Sequence, residues 1–185
     1  MTISAEKAAL REKILSARSA MGAVGRAAAS ETIRHKIRAL PQYLAAKQLA
    51  AFAALPEETD IWPLLEDRWE KQAVVALPRI TNFSRREMIF HSVKSKNDLE
   101  LGLKKIWQPK KFLPVIKKES FDFALIPAVA MDETGHRLGY GGGFYDTLLA
   151  CIKKMPTCAP VFLCQRVVAV PREAHDCKLD FVISE

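Results

Sequence analysis

Glycines are concentrated in one short segment of the sequence, where they could bind an anion. Four of the eight glycines, Gly139, Gly141, Gly142 and Gly143, fall within five consecutive positions. The preceding residues predict a strand and the following residues predict a helix, so the cluster would present free backbone N–H groups at the positive end of a helix. This arrangement favours a phosphate-binding loop, with a tight structural turn as the alternative.

Two standard phosphate motifs do not account for this segment. A Walker loop requires lysine and then serine or threonine after a glycine, and neither follows Gly143. A dinucleotide-binding motif requires glycine at the position of Phe144. The flanking charges still suit a nucleotide, because an arginine such as Arg137 can bridge phosphates and a carboxylate such as Asp146 can hold magnesium.

The N-terminal residues predict an amphipathic helix from Ser4 to Met21, with Ser4 as its N-cap. Lys7, Arg11 and Arg18 fall within about 40° of one another at 100° per residue, so they form a basic stripe beside the apolar one. A helix placed at the edge of a cleft could direct these cations at an anionic ligand. The alternative is a solvated charged edge with no ligand.

The rest of the chain alternates short apolar runs with helical patterns. Helices are predicted over residues 27–39 and from about residue 60. Buried strands are predicted over 48–55, 73–77, 87–93, 121–126, 161–163 and 181–183, with Pro78 ending the second of them. The repeated order of strand, helix and strand predicts one α/β domain over residues 1–185, a three-layer Rossmann-like fold with a largely parallel sheet flanked by helices. Ligands of such a sheet bind beyond the carboxyl ends of its strands.

The composition narrows the class of partner without choosing one. The chain has 185 residues, 49% of them hydrophobic, and carries a net charge of +7 with a pI near 9.3. A positive net charge of this size suits binding to nucleic acid, a membrane surface, a nucleotide or a polyanionic metabolite. Because the sequence contains neither a signal-peptide pattern nor an apolar run of roughly 18 residues, we predict a cytoplasmic protein without membrane association. The spacing of the four cysteines fits neither a zinc site nor a disulfide framework.

The glycine-rich segment also resembles a known signature. The string R-L-G-Y-G-G-G-F-Y-D over residues 137–146 closely resembles that of 5-formyltetrahydrofolate cyclo-ligases. Upstream, Lys7-x-x-Leu10-Arg11 is similar to the nucleotide-binding helix of that family, and Glu58-x-Asp60-x-x-Pro63-Leu64 is similar to its folate-side motif. Further matches, over the strand before the glycines and towards the C-terminus, are Asp122, Pro127, Gln165, Pro171, Asp176 and Asp180.

The resemblance implies ATP-dependent cyclisation of 5-formyltetrahydrofolate, or its polyglutamates, to 5,10-methenyltetrahydrofolate, carried out by a monomer with Mg²⁺. Arg137 and Tyr145 would be catalytic, and Asp146 and Asp176 would hold the metal. Phe52, Glu58, Trp107, Tyr140 and Tyr145 would bind the folate. ATP would be bound by Lys7, Arg11, Arg137, Leu138, Gly139, Tyr140, Gly141, Gly142, Gly143, Phe144 and Tyr145, with backbone donors from the glycines lining the transferring group.

Two other functions are compatible with part of the sequence. A different enzyme on a similar scaffold could bind a sugar phosphate or a coenzyme A ester, although this would not explain the combination of Lys7, Arg137 and Asp176. A non-catalytic RNA-binding module would explain the positive charge, but the chain contains no aromatic and basic RNA motif of recognisable spacing. The sequence therefore predicts no nucleic-acid partner.

Overall fold

The order of elements is less regular than the predicted repeat of strand, helix and strand, because the described chain begins with three helices and eight strands succeed one another over residues 74–138. The computed structural model describes residues 2–102, 106–152, 155–173 and 176–185. Within these ranges no helix combines the length and the apolar character that crossing a bilayer requires. The helices are α1 (Ile3–Ala20), α2 (Gly22–Arg38), α3 (Pro41–Ala45), α4 (Trp62–Glu70) and α5 (Phe144–Cys151). The strands are β1 (Gln48–Ala50), β2 (Val74–Asn82), β3 (Glu87–Val93), β4 (Leu99–Leu101), β5 (Trp107–Pro109), β6 (Val115–Ile116), β7 (Phe123–Leu125), β8 (Ala130–Asp132), β9 (Arg137–Leu138), β10 (Thr157–Pro160), β11 (Arg166–Val167) and β12 (Phe181–Ile183).

Seven strands form the central sheet in the order β12, β10, β7, β1, β2, β3 and β6. The first five are parallel to their neighbours, and β3 and β6 extend the sheet with antiparallel pairs. The predicted α/β fold with a largely parallel sheet is therefore confirmed. The antiparallel strands β2 and β3 are joined by a hairpin, which needs no crossover helix.

The two faces of the sheet carry side chains of different size. Ala50 pairs with Ala76 on one side and Ala124 on the other, and these alanines share one core cluster with Leu148 and Leu149 of α5. Small residues allow the helix to approach the sheet closely. The opposite face carries Leu49, Val75, Leu77, Phe123 and Leu125, which pack against residues of α2, α3 and α4. Alternation along each strand thus gives the predicted three layers.

A second, three-stranded sheet in the order β11, β8 and β9 was not predicted. The antiparallel pair β8 and β9 lies immediately before the glycine-rich segment and delivers Arg137 to it. Helix α1 packs on this sheet through a separate core cluster that includes Ile14, Val129 and Leu138. The strands are too short to give a clear alternating pattern in the sequence.

The ends of three elements, α1, α2 and β10, differ from the predicted ones. Thr2, not Ser4, is the N-cap of α1, because its Oγ1 accepts a hydrogen bond from the N–H of Ala5 at 3.3 Å. Helix α2 begins at Gly22 rather than residue 27. The strand expected over 161–163 lies at Thr157–Pro160, where the carboxylate of Asp180 accepts hydrogen bonds from both the N–H and the hydroxyl of Thr157.

Pro78 does not end β2 as predicted but lies inside it. The carbonyl of Ala76 accepts a hydrogen bond from the N–H of Ala51 at 2.9 Å. Backbone groups two residues apart face the same side of a strand, so the backbone nitrogen of Pro78 also faces the β1 side. Strand β1 has ended at that level, while Pro78 pairs with Phe90 on its other side. No N–H is required of Pro78 there. Strand β2 therefore continues to Asn82 and carries the hairpin towards the ligand-binding edge.

Candidate active site

A cavity of about 770 Å³ opens at the carboxyl ends of β1, β2 and β7. Phe52 and Pro127 follow β1 and β7 by two residues, and Pro78 lies in β2 just beyond the end of its pairing with β1; all three line the cavity. The N-terminal half of α1, the β2–β3 hairpin and the whole segment 137–146 form the remaining walls. The cavity is thus where a parallel sheet of this type binds its ligands.

Two of the three cations of the α1 stripe face this cavity. The Nζ of Lys7 donates to Oδ2 of Asp176 at 2.8 Å and to Oε2 of Glu173 at 2.9 Å. Burial would lower the pKa of Lys7, but these hydrogen bonds outweigh it and the pKa is raised. The Nε of Arg11 donates to the carbonyl of Gly139 at 2.8 Å. The stripe is therefore not a solvated edge, and it brings the N-terminus against the glycine-rich segment.

The glycine-rich segment leaves little room for side chains. At Gly139 an added methyl group would lie 2.7 Å from Nη1 of Arg137, so only glycine allows the guanidinium to pass. Gly143 is the N-cap of α5 with φ of 71°, a left-handed conformation that glycine adopts without steric cost. The first turn of α5 lies next to the cavity, and its N–H groups form a potential anion site.

Arg137 is buried and held by its own chain. Its Nη1 donates to the carbonyl of Pro127 at 3.0 Å, and its Nη2 donates to Oδ1 of Asp146 at 2.6 Å. Its Cζ lies 5.7 Å from the centre of the Tyr145 ring. Nε has no hydrogen-bond partner among the described residues. The side chain is therefore rigid, and a ligand that bound it would meet a guanidinium already oriented.

The two proposed metal ligands, Asp146 and Asp176, line the same cavity despite their separation in sequence. Each is bonded to a cation, Asp146 to Arg137 and Asp176 to Lys7. Across the described ranges, no cluster of three or more histidine, cysteine or acidic side chains could hold a metal ion by itself. Two carboxylates would fit a magnesium ion whose remaining ligands are phosphate oxygens and water.

Glu58 is buried at the boundary of two cavities. Its Oε1 accepts a hydrogen bond from the hydroxyl of Tyr140 at 2.7 Å, and its Oε2 accepts one from the N–H of Leu55 at 2.9 Å. Burial raises the pKa of Glu58 in spite of both bonds. Because α4 begins at Trp62 with Ile61 as its N-cap, Glu58 does not cap that helix. The carboxylate faces the cavity instead.

The aromatic residues that were predicted for the folate pocket differ in exposure. Phe52 is 4% exposed and belongs to the main core, although it also lines the cavity. Trp107 is 48% exposed and Tyr140 is 46% exposed, so both have surface available to a ligand. Tyr145 packs against the core clusters on both faces of the central sheet, and burial raises the pKa of its hydroxyl. Leu138 and Phe144 also line the cavity.

Comparison with known proteins identifies the family of this chain. The sequence profile described as the 5-formyltetrahydrofolate cyclo-ligase family matches residues 3–185. The chain belongs to the 5-formyltetrahydrofolate cyclo-ligase family. Its members are ligases, and the chain is therefore an enzyme of that class.

Two relatives and one solved structure illustrate the similarity. The cyclo-ligase of Escherichia coli (strain K12) is 34% identical over 148 residues, which cover 78% of this chain and 81% of that protein. The cyclo-ligase of Mus musculus is 27% identical over 198 residues, covering 100% and 96%. An NMR structure of Aquifex aeolicus 5,10-methenyltetrahydrofolate synthetase has a TM-score of 0.84 and 29% identity, covering 96% and 88%. The predicted family is confirmed.

Two arginines of this cyclo-ligase family member adjoin the site, although neither of them was assigned a ligand from the sequence. Arg18 is 2% exposed, and its Nη1 donates to the hydroxyl of Tyr140 at 2.9 Å. Arg86, in the β2–β3 hairpin, lines the main cavity. The position of Arg18 in the basic stripe with Lys7 and Arg11 was a usable signal. Nothing in the local sequence identifies Arg86, because its proximity depends on how the hairpin folds over.

Proposed function

We propose that the enzyme uses ATP to cyclise 5-formyltetrahydrofolate to 5,10-methenyltetrahydrofolate, with residues 1–185 acting as one catalytic unit. The observation that carries this proposal is one cavity in which a glycine-rich helix start and the cations Lys7, Arg11 and Arg137 adjoin a buried carboxylate, Glu58. The cations suit a polyphosphate, and the carboxylate suits the N–H groups of a pterin.

The reaction needs ATP because a formyl oxygen bound to carbon is a poor leaving group. In the proposed first step this oxygen attacks the terminal phosphorus of ATP, and the bond from that phosphorus to the bridging oxygen breaks, releasing ADP. The neighbouring arm nitrogen then attacks the formyl carbon. The carbon–oxygen bond breaks, inorganic phosphate leaves with that oxygen, and the nitrogen loses its proton. Because negative charge moves in every step, the enzyme must align ATP with the folate and supply positive charge near the phosphates.

On the nucleotide side, the cations and backbone donors would share the phosphates. Lys7 and Arg11 would contact the polyphosphate from α1, and N–H groups between Gly139 and Gly143 would line the transferring group. Arg137 would orient Asp146 and complement charge on the phosphates. Magnesium held by Asp146 and Asp176 would supply further charge neutralisation on the phosphate oxygens.

On the folate side, Glu58 would accept hydrogen bonds from the pterin. Each carboxylate oxygen has two lone pairs, so Oε1 and Oε2 can serve a ligand while keeping their bonds to Tyr140 and Leu55. Phe52, Trp107 and the rings of Tyr140 and Tyr145 would pack on the bicyclic ring and its arm. This leaves the formyl group between Glu58 and the glycine-rich segment.

A second cavity of about 560 Å³ supports the use of polyglutamates. It shares Leu55, Glu58 and Trp107 with the main cavity, and it contains the cations Arg26 and Lys96. The Nε of Arg26 has no hydrogen-bond partner among the described residues. A chain of glutamates leaving the main cavity on this side would bring carboxylates to both cations. Replacing either cation with glutamine should weaken the longer folates more than the monoglutamate.

One assay tests the proposed function. Protein mixed with ATP, Mg²⁺ and 5-formyltetrahydrofolate should generate the ultraviolet absorbance of the methenyl product, and omission of either ATP or Mg²⁺ should abolish it. A folded protein that produced no methenyl signal but bound RNA with strong salt dependence would contradict the proposal. That the enzyme is a monomer in the cytoplasm stays a prediction, which size-exclusion chromatography with light scattering and imaging of a tagged protein would test.

A further inference from the structure

The turn of the β2–β3 hairpin lies directly over the glycine-rich segment. The rings of Phe83 and Phe144 meet edge to face with centroids 5.4 Å apart. A methyl group placed on Gly143 would lie 2.8 Å from Cδ of Arg86 and 3.0 Å from its Nε and Nη1. The Arg86 guanidinium therefore lies against the N-cap of α5, where the first free N–H groups of the helix begin.

Two guanidinium groups adjoin the segment at different points. A methyl group on Gly141 would lie 3.6 Å from Cζ of Arg11, whereas Gly143 is covered by Arg86. The side chain of Arg11 is already bonded to a carbonyl of its own chain. Over the ranges that the structure describes, Arg86 has no ion pair or side-chain hydrogen bond, although it lines the cavity. Its charge is therefore available to a ligand.

Arg86 ends the hairpin turn, where its N–H donates to the carbonyl of Phe83 at 3.2 Å. Arg86 has φ of 54°, in the left-handed region where side chains are disfavoured and glycine is not. The only other non-glycine residue with positive φ in the described part of the chain is Gln72, at 56°. Gln72 follows α4 and lines neither cavity.

We infer that Arg86 binds the terminal phosphoryl group of ATP during its transfer. This rests on the proposed function, in which the polyphosphate lies along the glycine-rich segment. Arg86 covers the Gly143 end of that segment and lines the same cavity as Asp146, the proposed magnesium ligand, whereas Lys7 and Arg11 approach from α1. A guanidinium can contact two phosphate oxygens and neutralise the charge that moves with the phosphoryl group.

The test combines Arg86→Gly and Arg86→Lys with the matched control Gln72→Gly. Both glycine variants relieve the same backbone conformation, so both should melt at or above the wild-type temperature. Of the two glycine variants, only Arg86→Gly should reduce kcat, by at least about tenfold. Arg86→Lys keeps the charge and should retain part of the wild-type kcat. Calorimetry without folate should show at least about tenfold weaker binding of a non-hydrolysable ATP analogue by Arg86→Gly, with ADP binding changed less than about threefold.

The inference is overturned if Arg86→Gly turns over like the wild type, or if it loses ADP and the triphosphate analogue equally. If Arg86→Gly does not fold, Arg86→Gln is measured against the same criteria. If the proposed function is wrong, the wild type itself will form no methenyl product, which distinguishes that outcome from failure of the inference about Arg86. The nucleotide titrations do not depend on that product, and a wild type that bound neither nucleotide would overturn both proposals.

Discussion

Replacing Glu58 with glutamine separates a folate-binding carboxylate from a structural one. The change keeps the size of the side chain and removes its charge. Glutamine retains one oxygen to accept from the N–H of Leu55, and its amide group can donate to the hydroxyl oxygen of Tyr140, which already accepts from Arg18. The internal hydrogen bonds are therefore kept, and the packing around residue 58 should change little.

The effect on stability follows from the direction of the pKa shift. Because burial raises the pKa of Glu58 in the folded protein, its ionised form opposes folding above that pKa, and this cost is absent below the pKa of the unfolded chain. Glu58→Gln should therefore melt at or above the wild-type temperature near pH 7. The difference between the two proteins should shrink as the pH falls and the wild-type carboxyl takes up its proton.

Glu58→Gln should also strongly reduce the catalytic efficiency with the folate. Losing a hydrogen bond to a charged group costs about 1.5–3 kcal/mol, which corresponds to a decrease in kcat/KM of roughly 10- to 150-fold. The binding of ATP should not change. In the wild type, kcat/KM for the folate should also fall as the pH drops through the raised pKa of Glu58, and the variant should lack this dependence.

The measurements are methenyl formation across a range of pH, calorimetric titration with ATP, and thermal melting. Glu57→Gln is the matched control, because Glu57 is the exposed neighbour, with its Oε2 3.9 Å from Nη2 of Arg18. It should leave the folate kinetics unchanged. A lower melting temperature of Glu58→Gln with wild-type folate kinetics would refute the reasoning and make Glu58 a structural residue.

Four further substitutions test other parts of the protein. Arg137→Lys should reduce turnover at least about tenfold, or roughly 1.4 kcal/mol, because lysine cannot contact Pro127 and Asp146 in the same fixed geometry; full activity would remove Arg137 from the site. Asparagine at Asp146 or at Asp176 should raise the Mg²⁺ concentration needed for half-maximal rate, and an unchanged requirement in both folded variants would assign the metal to other ligands. Asp132→Asn should lower the free energy of unfolding by about 1–3 kcal/mol near pH 7 without a specific change in kcat, because four hydrogen bonds end on that carboxylate. Burial would raise the pKa of Asp132, but those bonds outweigh it and lower the pKa, so the stabilisation exists above the ordinary carboxyl pKa and the two unfolding curves should converge in acid.

The sequence by itself determined the features that depend on local pattern. The strands over 87–93 and 181–183 have the predicted bounds, since apolar residues and neighbouring turns specify them without help from distant segments. The periodicity of α1 placed Lys7 and Arg11 on one face. The signature over 137–146 was sufficient to identify the family, because its residues are contiguous and their spacing is specific.

Only the tertiary structure decided the features that depend on which segments become neighbours. Pro78 lies within β2 because the pairing of β1 with β2 ends at Ala76, two residues before Pro78, a fact that no residue near Pro78 encodes. Arg18 meets Tyr140 across 122 positions, and Lys7 meets Asp176 across 169. Arg86 reaches Gly143 because the hairpin folds over the glycine-rich segment. Such contacts form when packing of the whole core brings the elements together, and a pattern read along the chain contains no measure of that distance.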